Sequence, residues 1–465
     1  MKRLIAIILS TALIIGLLAG CKGTVTPSAS ASASASASVS AKPVTVTLWV
    51  MPLYDTYLEM LKTTYAKAVK AKYPNVTVAT ELLSWDAGPE KITVAMATKA
   101  TPDLLQDINA RLAPGWDAGL AVDISDVAER VKGIMLDGYK KLGMKDGKHY
   151  YMPTLTNNGY NFAVNMDLAK SLGVDTLLPA DKIHWSYDQF LDFCRKARTA
   201  GKDKGIYATQ LWAASRSSDA AYYSFLMTGG TNITDMTKNP PVVAANTATA
   251  EATLKVLKTL VDEKLVPDGP ATTKDEAVNP NFESGKLVVL LASAGAQTPI
   301  TIYNKAKKGD IKAFTVDFYQ MPTPTGKTEP KVVSFGTSGF ELFINKNDPA
   351  VIQGAKDAIA TWYETPAISS EMHLKGGSSA VTNNVTLDYS DATLNAQVKR
   401  AIEANSKYAI SDFGILTSWW SPFRETFYVQ LQAYLTGTKT AKQMLTDWET
   451  TGNAAIAKAI ATAKK

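Results

Sequence analysis

Residues that carry most enzyme chemistry are scarce in this chain. Its 465 residues include two cysteines and three histidines, and His149, His184 and His373 do not stand at a metal-ligand spacing such as His-x-x-x-His. The chain also lacks a Gly-x-Ser-x-Gly nucleophile elbow and a phosphate-binding Gly-x-x-x-x-Gly-Lys loop. These absences predict that the protein is not an enzyme and has no cofactor and no metal-ligand set. A glycoside hydrolase stays open as an alternative, because separated carboxylates can pair in space.

Long runs of one charge sign are absent as well. The formal net charge is +6 at neutral pH and falls to +4 without Lys2 and Arg3. No dense Lys/Arg tract occurs, so the sequence predicts no nucleic-acid partner. A hydrophobic fraction of 46% with 20% charged residues is typical of a soluble globular protein. The roughly 420 residues that follow the N-terminal segment predict two or three domains or lobes.

Cysteine is nearly absent from the body of the chain, where Cys194 stands alone. Phe190, Leu191 and Ala197 lie at helical spacing from this residue, which predicts a buried and inert thiol. Because the body contains no second thiol, an intramolecular disulfide is excluded. No later stretch is long and apolar enough to span a membrane.

The other cysteine, Cys21, ends a segment that is typical of export signals. Lys2 and Arg3 precede an apolar run over 4–18, and Leu18-Ala-Gly-Cys follows. This tetrapeptide resembles the bacterial lipobox, in which the cysteine thiol is acylated and becomes the new N-terminus. We therefore predict a lipoprotein signal peptide over 1–20 and lipidation of Cys21, which would anchor the protein to the cell membrane on its extracellular or periplasmic side. The alternative is an ordinary secretory signal.

The Ser/Ala-rich segment over 21–43 is predicted to be a disordered linker, since small residues bury too little apolar surface to offset chain entropy. Beyond it, strands and helices alternate, as parallel βαβ units require. Strict alternation of apolar and polar residues over 44–51 predicts the first strand. Apolar residues spaced three and four positions apart over 58–69 predict the first helix. Further elements are predicted as strands at 76–82 and 103–105 and as helices at 91–99, 351–363, 394–404, 421–435 and 440–463. Capping boxes are predicted for Ser186 with Gln189 and for Thr440 with Gln443.

An ordered series of motifs extends over the whole body of the chain. It includes Lys72-Tyr-Pro-Asn-Val-Thr-Val, Ala100-Thr-Pro-Asp-Leu-Leu, Ala118-Gly-Leu-Ala-Val-Asp-Ile-Ser-Asp, Asp146-Gly-Lys-His-Tyr-Tyr-Met-Pro, Val164-Asn-Met-Asp-Leu-Ala-Lys-Ser-Leu-Gly-Val, Phe282-Glu-Ser-Gly-Lys-Leu-Val-Val-Leu and Leu435-Thr-Gly-Thr-Lys-Thr-Ala-Lys-Gln. The series resembles the family 1 extracellular solute-binding proteins, the sugar-capturing lipoproteins of ABC importers.

The resemblance implies an α/β fold of the periplasmic-binding-protein-like type II, with two lobes, a hinge and a ligand cleft between the lobes. Lobe 1 would contain 44–157 and 322–360, and lobe 2 would contain 158–321 and 361–465. The first crossing between lobes is expected just after Pro153. The implied function is that of a monomeric, membrane-anchored receptor that binds a carbohydrate, with an oligosaccharide favoured, and delivers it to separate ABC permease subunits. A surface adhesin, or a receptor for a peptide or another small polar solute, stays open as an alternative.

A carbohydrate site needs aromatic rings for the C–H faces of the sugar and convergent polar groups for its hydroxyls. In open α/β sheets the ligand lies outside the carboxyl ends of the strands, which favours Trp49, Asp107 and Asn109. The resemblance adds candidates along the rest of the chain: Trp85, Asn158, Tyr160, Trp212, Ser293, Gly295, Trp419, Trp420 and Arg424. Adjacent helical residues point about 100° apart, so one of Trp419 and Trp420 is expected to pack while the other faces the cleft. Ala292-Ser-Ala-Gly-Ala-Gln lacks the aromatic that many members of the family carry there.

Overall fold

A computed structural model describes residues 42–54, 56–85, 87–156, 161–215, 218–293, 295–327, 337–344, 348–376, 381–385, 389, 391–406, 413–415 and 417–463. Its strands, in chain order, are β1 (Val44–Val50), β2 (Val76–Leu82), β3 (Leu104–Ile108), β4 (Met144–Lys145), β5 (Lys148–His149), β6 (Tyr151–Thr156), β7 (Asn161–Asn165), β8 (Thr234–Asp235), β9 (Val242–Val243), β10 (Val289–Ser293), β11 (Val316–Tyr319) and β12 (Thr337–Leu342).

The helices account for most of the remaining described residues. They are α1 (Tyr57–Met60), α2 (Ala66–Lys72), α3 (Gly88–Thr98), α4 (Asn109–Asp117), α5 (Ser125–Val131), α6 (Met166–Ser171), α7 (Tyr187–Gly201), α8 (Ser218–Thr228), α9 (Ala248–Asp262), α10 (Val278–Glu283), α11 (Gln297–Lys308), α12 (Pro349–Glu364), α13 (Pro366–Gly376), α14 (Ala392–Ser406), α15 (Trp420–Arg424), α16 (Phe427–Leu435) and α17 (Ala441–Ala463). A π-helical turn, Leu61–Tyr65, joins α1 to α2, and short 3-10 turns occupy Asp137–Tyr139, Asp175–Leu177, Lys202–Lys204 and Asp275–Ala277.

Lobe 1 is built on a five-stranded sheet with the order β2-β1-β3-β12-β6. β1 is parallel to β2 and β3, whereas β12 is antiparallel to both β3 and β6. The predicted first strand is confirmed, since Val44, Val46, Leu48 and Val50 all point into the core. One face of the sheet packs on α1, α5 and α12, and the other packs on α3 and α4 around Leu105 and Leu112.

Lobe 2 has a smaller sheet, β10-β7-β11, whose strands are antiparallel, and most of its mass is helical. Its core includes an aromatic cluster in which the ring of Trp448 lies 4.7 Å from that of Phe427 and 5.5 Å from that of Tyr223. The chain passes from the sheet of lobe 1 to that of lobe 2 between β6 and β7. It returns to the sheet of lobe 1 as β12.

Two of the predicted boundaries are wrong. The division at 360/361 falls inside α12, and residues as far as Val381 pack in the core of lobe 1, with Trp362 and Met372 among them. The helix predicted over 421–435 is interrupted between α15 and α16. There the hydroxyl of Thr426 donates a 2.7 Å hydrogen bond to the carbonyl oxygen of Phe423, in competition with helical backbone bonding.

Other local predictions are confirmed. Cys194 is fully buried, and burial raises the pKa of its thiol well above the usual range, as expected of an inert residue. α7 begins with a capping box between Ser186 and Gln189, which satisfies two of its N-terminal backbone donors. Within the described ranges, no helix combines the length and the apolar character needed to cross a bilayer.

Glu341 is the exception in an otherwise apolar part of lobe 1. It lies on β12 between Leu105 and Tyr151 of the neighbouring strands, is fully buried, and its carboxyl oxygens have no hydrogen-bond partner among the described residues. α4 passes directly over it at Gly115, where a Cβ would lie 2.0 Å from Oε1 of Glu341, so only glycine fits. Burial, with a smaller contribution from the charge of Asp117, raises the pKa of the Glu341 carboxyl well above its usual range.

This burial makes stability depend on pH. In the unfolded chain Glu341 ionises near pH ~4.3, whereas in the folded protein it stays neutral to a higher pH, so stability falls as pH rises through that interval, by up to about 1.4 kcal/mol per pH unit. Glu341→Gln removes the titration. We expect the free energy of unfolding of the variant, measured in urea, to exceed that of the wild type by more at pH 7.5 than at pH 4.5.

A suitable control is Glu90→Gln, which replaces an exposed carboxyl on α3 and should leave the pH dependence as in the wild type. If Glu341→Gln and the wild type differ by the same amount at both pH values, Glu341 does not titrate on unfolding in this range.

Candidate functional site

The carboxyl ends of β1 and β3 lie at the same edge of the sheet of lobe 1, and the predicted residues Trp49, Asp107 and Asn109 are placed there. β3 runs directly into α4, so Asp107 is the last residue but one of the strand and Asn109 is the first of the helix. Both are almost completely buried, with 1% of their surface exposed. Neither side chain is therefore open to solvent at this edge.

Asp107 is occupied by groups of its own chain. Its carboxylate accepts hydrogen bonds from Nε of Arg111 at 2.6 Å, from Nη2 of the same residue, and from the backbone N–H of Ile108 at 2.7 Å. The side chain of Arg111 is 12% exposed, so the pair is largely removed from water. Asp107 thus fixes the guanidinium of Arg111 at the sheet edge. Arg111 was not a candidate from the sequence. The Asp–Arg spacing of four at a strand-to-helix junction could have indicated it.

Trp85 presents an open ring beside this pair. It is 47% exposed, yet its orientation is fixed, because Nε1 donates a 2.8 Å hydrogen bond to the carbonyl oxygen of Pro52. The guanidinium carbon of Arg111 lies 5.3 Å from the centre of the ring, a cation–π distance. Trp49, by contrast, is half-buried, and the ammonium of Lys91 lies 4.0 Å from the centre of its ring. Trp85 is therefore the open aromatic surface of this group.

In lobe 2, Trp212 and the start of α8 meet through Tyr222. The backbone N–H of Trp212 donates to the hydroxyl of Tyr222 at 3.0 Å, and the two rings lie 5.9 Å apart. Trp212 is 5% exposed, and its Nε1 has no partner among the described residues. The same holds for the buried hydroxyls of Thr209 and Ser218, and Ser218 stands one helical turn before Tyr222.

Arg424 forms a bidentate ion pair with Asp219, the residue after Ser218. Nε and Nη2 of the arginine each lie 2.8 Å from one carboxylate oxygen. The aspartate side chain is fully buried, and that of Arg424 is 15% exposed. The pair joins α15 to α8, and only Arg424 was a candidate from the sequence.

The two adjacent tryptophans have different surroundings, because Trp420 packs in the core of lobe 2 and Trp419 lines a cavity between the lobes. Trp420 is fully buried, with its ring 4.9 Å from that of Phe413 and 5.5 Å from that of Phe423. Trp420, which was predicted to contact the ligand, therefore packs in the core of lobe 2 instead. Trp419 is 4% exposed and lies so close to Gly414 that a Cβ there would be 1.9 Å from its ring.

Some predicted positions are only partly covered. Asn158, Tyr160 and Cys21 lie outside the described residues. For Ser293 the backbone alone is described, and it pairs with Asn161 of β7. Gly295 has a φ of +64°, a conformation that other residues rarely adopt.

A cavity of about 420 Å³ lies between the lobes. Lobe 1 contributes Trp116 and Asp117 at the end of α4 and the chain over 141–145, and lobe 2 contributes 417–419 and Ile460. Within the ranges that the structure describes, no group of three or more histidine, cysteine or acidic side chains comes together as a metal site would require.

Two α/β lobes, each with its own core, joined by crossing strands and separated by a cavity to which both contribute, define a two-lobed binding protein. The model of the bacterial extracellular solute-binding protein family matches residues 56–369, and the chain belongs to that family. The resemblance seen in the sequence motifs is thereby confirmed.

Solved structures share the fold. The acarbose-binding GacH receptor of Streptomyces glaucescens superimposes with a TM-score of 0.69 at 14% identity, over 89% of this chain and 99% of that chain. For the maltose-bound MalE3 of T. maritima the TM-score is 0.70 at 15% identity, with coverage of 88% and 98%. The galacto-N-biose-/lacto-N-biose I-binding protein of the ABC transporter from Bifidobacterium longum also reaches 0.70, at 16% identity, with 91% and 98% covered.

Relatives detected by sequence match a smaller part of the chain. A binding protein of Brucella abortus (strain 2308) and one of Brucella suis biovar 1 are each 23% identical over 238 residues, which make up 51% of this chain. The match spans 54% of either protein, so the chain covers about half the length of these relatives.

The contribution of the Arg424–Asp219 pair to the free energy of unfolding can be tested by mutation. Arg424→Ala leaves a fully buried carboxylate without its guanidinium, and removing one partner of a buried pair costs about 3–5 kcal/mol. We expect a loss of that size in the free energy of unfolding measured by urea titration. Arg195→Ala is the matched control, because its pair with Glu263 is 46% and 39% exposed and should contribute at most about 1 kcal/mol. Equal losses in the two variants would contradict the assignment.

Proposed function

We propose that the protein is a lipid-anchored receptor that binds a carbohydrate between its two lobes and delivers it to an ABC importer. The observation that carries the proposal is the pairing of a fixed, open aromatic ring with a fixed guanidinium in lobe 1. Buried polar groups of lobe 2 that have no partner among the described residues support it. Membership of the solute-binding family supports it, as do three proteins of the same fold that bind acarbose, maltose or lacto-N-biose.

On lobe 1, Trp85 and Arg111 match the two kinds of surface that a sugar presents. The indole ring packs against C–H faces, and the guanidinium donates hydrogen bonds to hydroxyls. Both groups are held before any ligand arrives, Trp85 by Pro52 and Arg111 by Asp107. Little side-chain entropy is then lost on binding, so more of the contact energy appears as affinity.

On lobe 2, the buried Nε1 of Trp212 and the hydroxyls of Thr209 and Ser218 lack partners among the described residues. A buried polar group without a hydrogen bond costs about 1–3 kcal/mol. Ligand hydroxyls, which both donate and accept, would satisfy such groups, and this need favours a polyhydroxylated ligand.

The proposed mechanism is closure of the lobes on the ligand. A ligand that contacts both lobes stabilises the closed state by its differential affinity, and the permease recognises the closed shape. Each lobe would move as one body because it has its own core. The proposed site residues are Trp49, Trp85, Asp107, Asn109, Arg111, Asn158, Tyr160, Trp212, Ser293, Gly295, Trp419 and Arg424.

The lipid anchor is a separate part of the proposal and rests on the sequence alone. The thiol of Cys21 would carry the acyl chains, and the segment over 21–43 would hold the folded body away from the membrane surface.

The carbohydrate site can be tested with Trp85→Ala. Thermal unfolding of the wild type is first measured with maltose, maltotriose, lacto-N-biose and acarbose, and with amino acids and peptides for comparison. A ligand at about 100 times its Kd stabilises the protein by about 2.7 kcal/mol. We then expect Trp85→Ala to weaken binding of the active sugar by about 0.5–1.5 kcal/mol in calorimetry, and the melting temperature of the free protein to stay unchanged because the ring is exposed.

Tyr73→Ala is the control, because Tyr73 precedes β2 and lies at the opposite end of the sheet from the cleft. If only peptides or amino acids raise the melting temperature, the assignment of the fold stands and the carbohydrate ligand is rejected. If no compound raises the melting temperature, an adhesin or a hydrolase is favoured instead.

The anchor predicts a defined effect of Cys21→Ser in the full-length chain. Without the thiol no thioether can form, so we expect no incorporation of labelled palmitate in the producing cells and release of the protein from the membrane fraction. Cys194→Ser, which changes the buried cysteine, should label as the wild type does. Undiminished labelling of Cys21→Ser would reject the anchor.

A further inference from the structure

We propose that Gln106 is a positioning residue for the hinge, because its side chain connects the strands that cross between the lobes to the segment that holds Trp85. The connection is a buried chain of hydrogen bonds, and none of its side chains is among the proposed ligand contacts. The role of this chain in lobe closure rests on the proposed function, whereas the bend that it holds is a property of the protein without ligand.

The two crossing strands, β6 and β12, contain a bulge. Ser338 and Gly339 are adjacent on β12, but their partners on β6 are Leu155 and Pro153. Thr154 is therefore an extra residue on β6, and a bulge of this kind bends the strand and interrupts the ladder of backbone hydrogen bonds. The chain leaves lobe 1 directly after β6 and returns as β12, so a change of angle at the bulge would turn both crossing segments together.

Buried hydroxyls hold the bulge on both strands. Thr154 donates a 2.9 Å hydrogen bond to the carbonyl oxygen of Ser338, and Tyr363 of α12 donates one to the carbonyl oxygen of Pro153. Thr154 is 6% exposed and Tyr363 is fully buried. Because a buried carbonyl oxygen without a hydrogen bond is unfavourable, these hydroxyls favour one conformation of the bulge.

Gln106 links the bulge to the centre of the sheet. It lies on β3, is 2% exposed, and reaches across β12 to donate a 2.8 Å hydrogen bond from Nε2 to Oγ1 of Thr154. Its Oε1 accepts a hydrogen bond from the hydroxyl of Tyr57, the first residue of α1. The hydroxyl hydrogen of Thr154 is donated to Ser338, so the NH2 group of Gln106 must face Thr154, and the amide oxygen is left for Tyr57. One orientation of the amide therefore serves both partners.

The other end of the hydrogen-bonded chain leads to the proposed sugar site. The ring of Tyr57 lies 5.3 Å from that of Tyr54, which follows Pro52 by two residues. The carbonyl oxygen of Pro52 is the acceptor that orients Trp85. A shift of this segment would therefore change the position of Tyr57.

Lobe 2 contacts the same segment. Nε2 of Gln297, the first residue of α11, donates a 3.5 Å hydrogen bond to the carbonyl oxygen of Leu53. Movement of lobe 2 or binding at Trp85 would thus reach the bulge through Tyr57 and Gln106. Coupling of this kind is measured by changing one end of the chain of contacts and observing the other end.

Hydrogen exchange of the full-length protein without ligand makes this measurement. Gln106→Leu keeps the size of the side chain and removes both hydrogen bonds. We expect the backbone amides of β6 and β12 to exchange about tenfold faster in this variant, which corresponds to the loss of one buried hydrogen bond. The amides of β1 and β2 in the same sheet should change by less than about twofold, since the opening is local.

Tyr57→Phe provides the test of transmission, because Tyr57 reaches the crossing strands only through Gln106 in the proposed chain. We expect this variant to accelerate exchange in β6 and β12 by about threefold or more. If Gln106→Leu unfolds too easily, Thr154→Val breaks the same chain at the bulge and should give the tenfold effect. The matched control is Thr253→Val, which removes a buried hydroxyl from its 2.8 Å hydrogen bond with Tyr187 in lobe 2 and should leave β6 and β12 unchanged.

The effect on the hinge is measured as a distance between the lobes. Spin labels are attached at Lys132→Cys in lobe 1 and Lys196→Cys in lobe 2, whose side chains are 61% and 55% exposed. The full-length Cys21→Ser protein is used, in which the remaining cysteine, Cys194, is buried. We expect Gln106→Leu to broaden the distribution of distances in the free protein, and Thr253→Val to leave it as in the wild type.

Equal acceleration of exchange in β1 and β6 would show that Gln106 stabilises the fold in general and would reject the positioning role. Exchange in β6 and β12 that Tyr57→Phe does not change, or a distance distribution that Gln106→Leu does not change, would also reject it. These measurements use no sugar. Failure of every sugar to bind would therefore reject the proposed function and leave the role of Gln106 at the bulge in place.

Discussion

The architecture depends on one antiparallel strand. β12 lies between β3 and β6 in the sheet of lobe 1, although in the chain it follows the first segment of lobe 2. The sheet of lobe 1 is therefore complete only after the chain has crossed to lobe 2 and returned. Thr156 at the end of β6 pairs with Thr337 at the start of β12, so the chain leaves lobe 1 and re-enters it at adjacent positions. The buried hydroxyl of Thr154 also donates a hydrogen bond to the carbonyl oxygen of Ser338, which links the two strands. This arrangement gives the hinge a hydrogen-bonded base.

A buried Asp–Arg pair is present in each lobe. Asp107 holds Arg111 in lobe 1, and Asp219 holds Arg424 in lobe 2; in both pairs the carboxylate is removed from water and the arginine nearly so. Charges buried in this way persist only with a partner of good geometry, so each pair fixes an arginine in one position. Both arginines are thus positioned by contacts within their own lobe. Neither Arg111 nor Asp219 was a candidate from the sequence, because their roles arise from partners rather than from a motif.

Hydrophobic periodicity accounts for the local predictions that succeeded. The alternation of Val44, Val46, Leu48 and Val50 specifies a strand in any fold that buries one of its faces, and the Ser186–Gln189 box marks the start of a helix whatever lies around it. The predicted boundary at 360/361 failed for a related reason. Trp362 and Met372 are apolar positions on helices, and apolarity alone does not say which of two cores receives them. Trp420 was misassigned in the same way, since a ring that packs and a ring that binds have the same side chain.

By itself, the sequence determined the succession of strands and helices, the buried Cys194 and membership of the solute-binding family. These properties depend on the spacing of apolar residues and on the order of short motifs, both of which are present in the chain before it folds. Only the tertiary structure decided that Trp85 is open while Trp49 is covered by Lys91, that Asp107 is bound by Arg111, and that Trp116 and Trp419 line one cavity. The reason is that exposure and partnership are relations between residues distant in the chain, and they exist only after the two cores have formed.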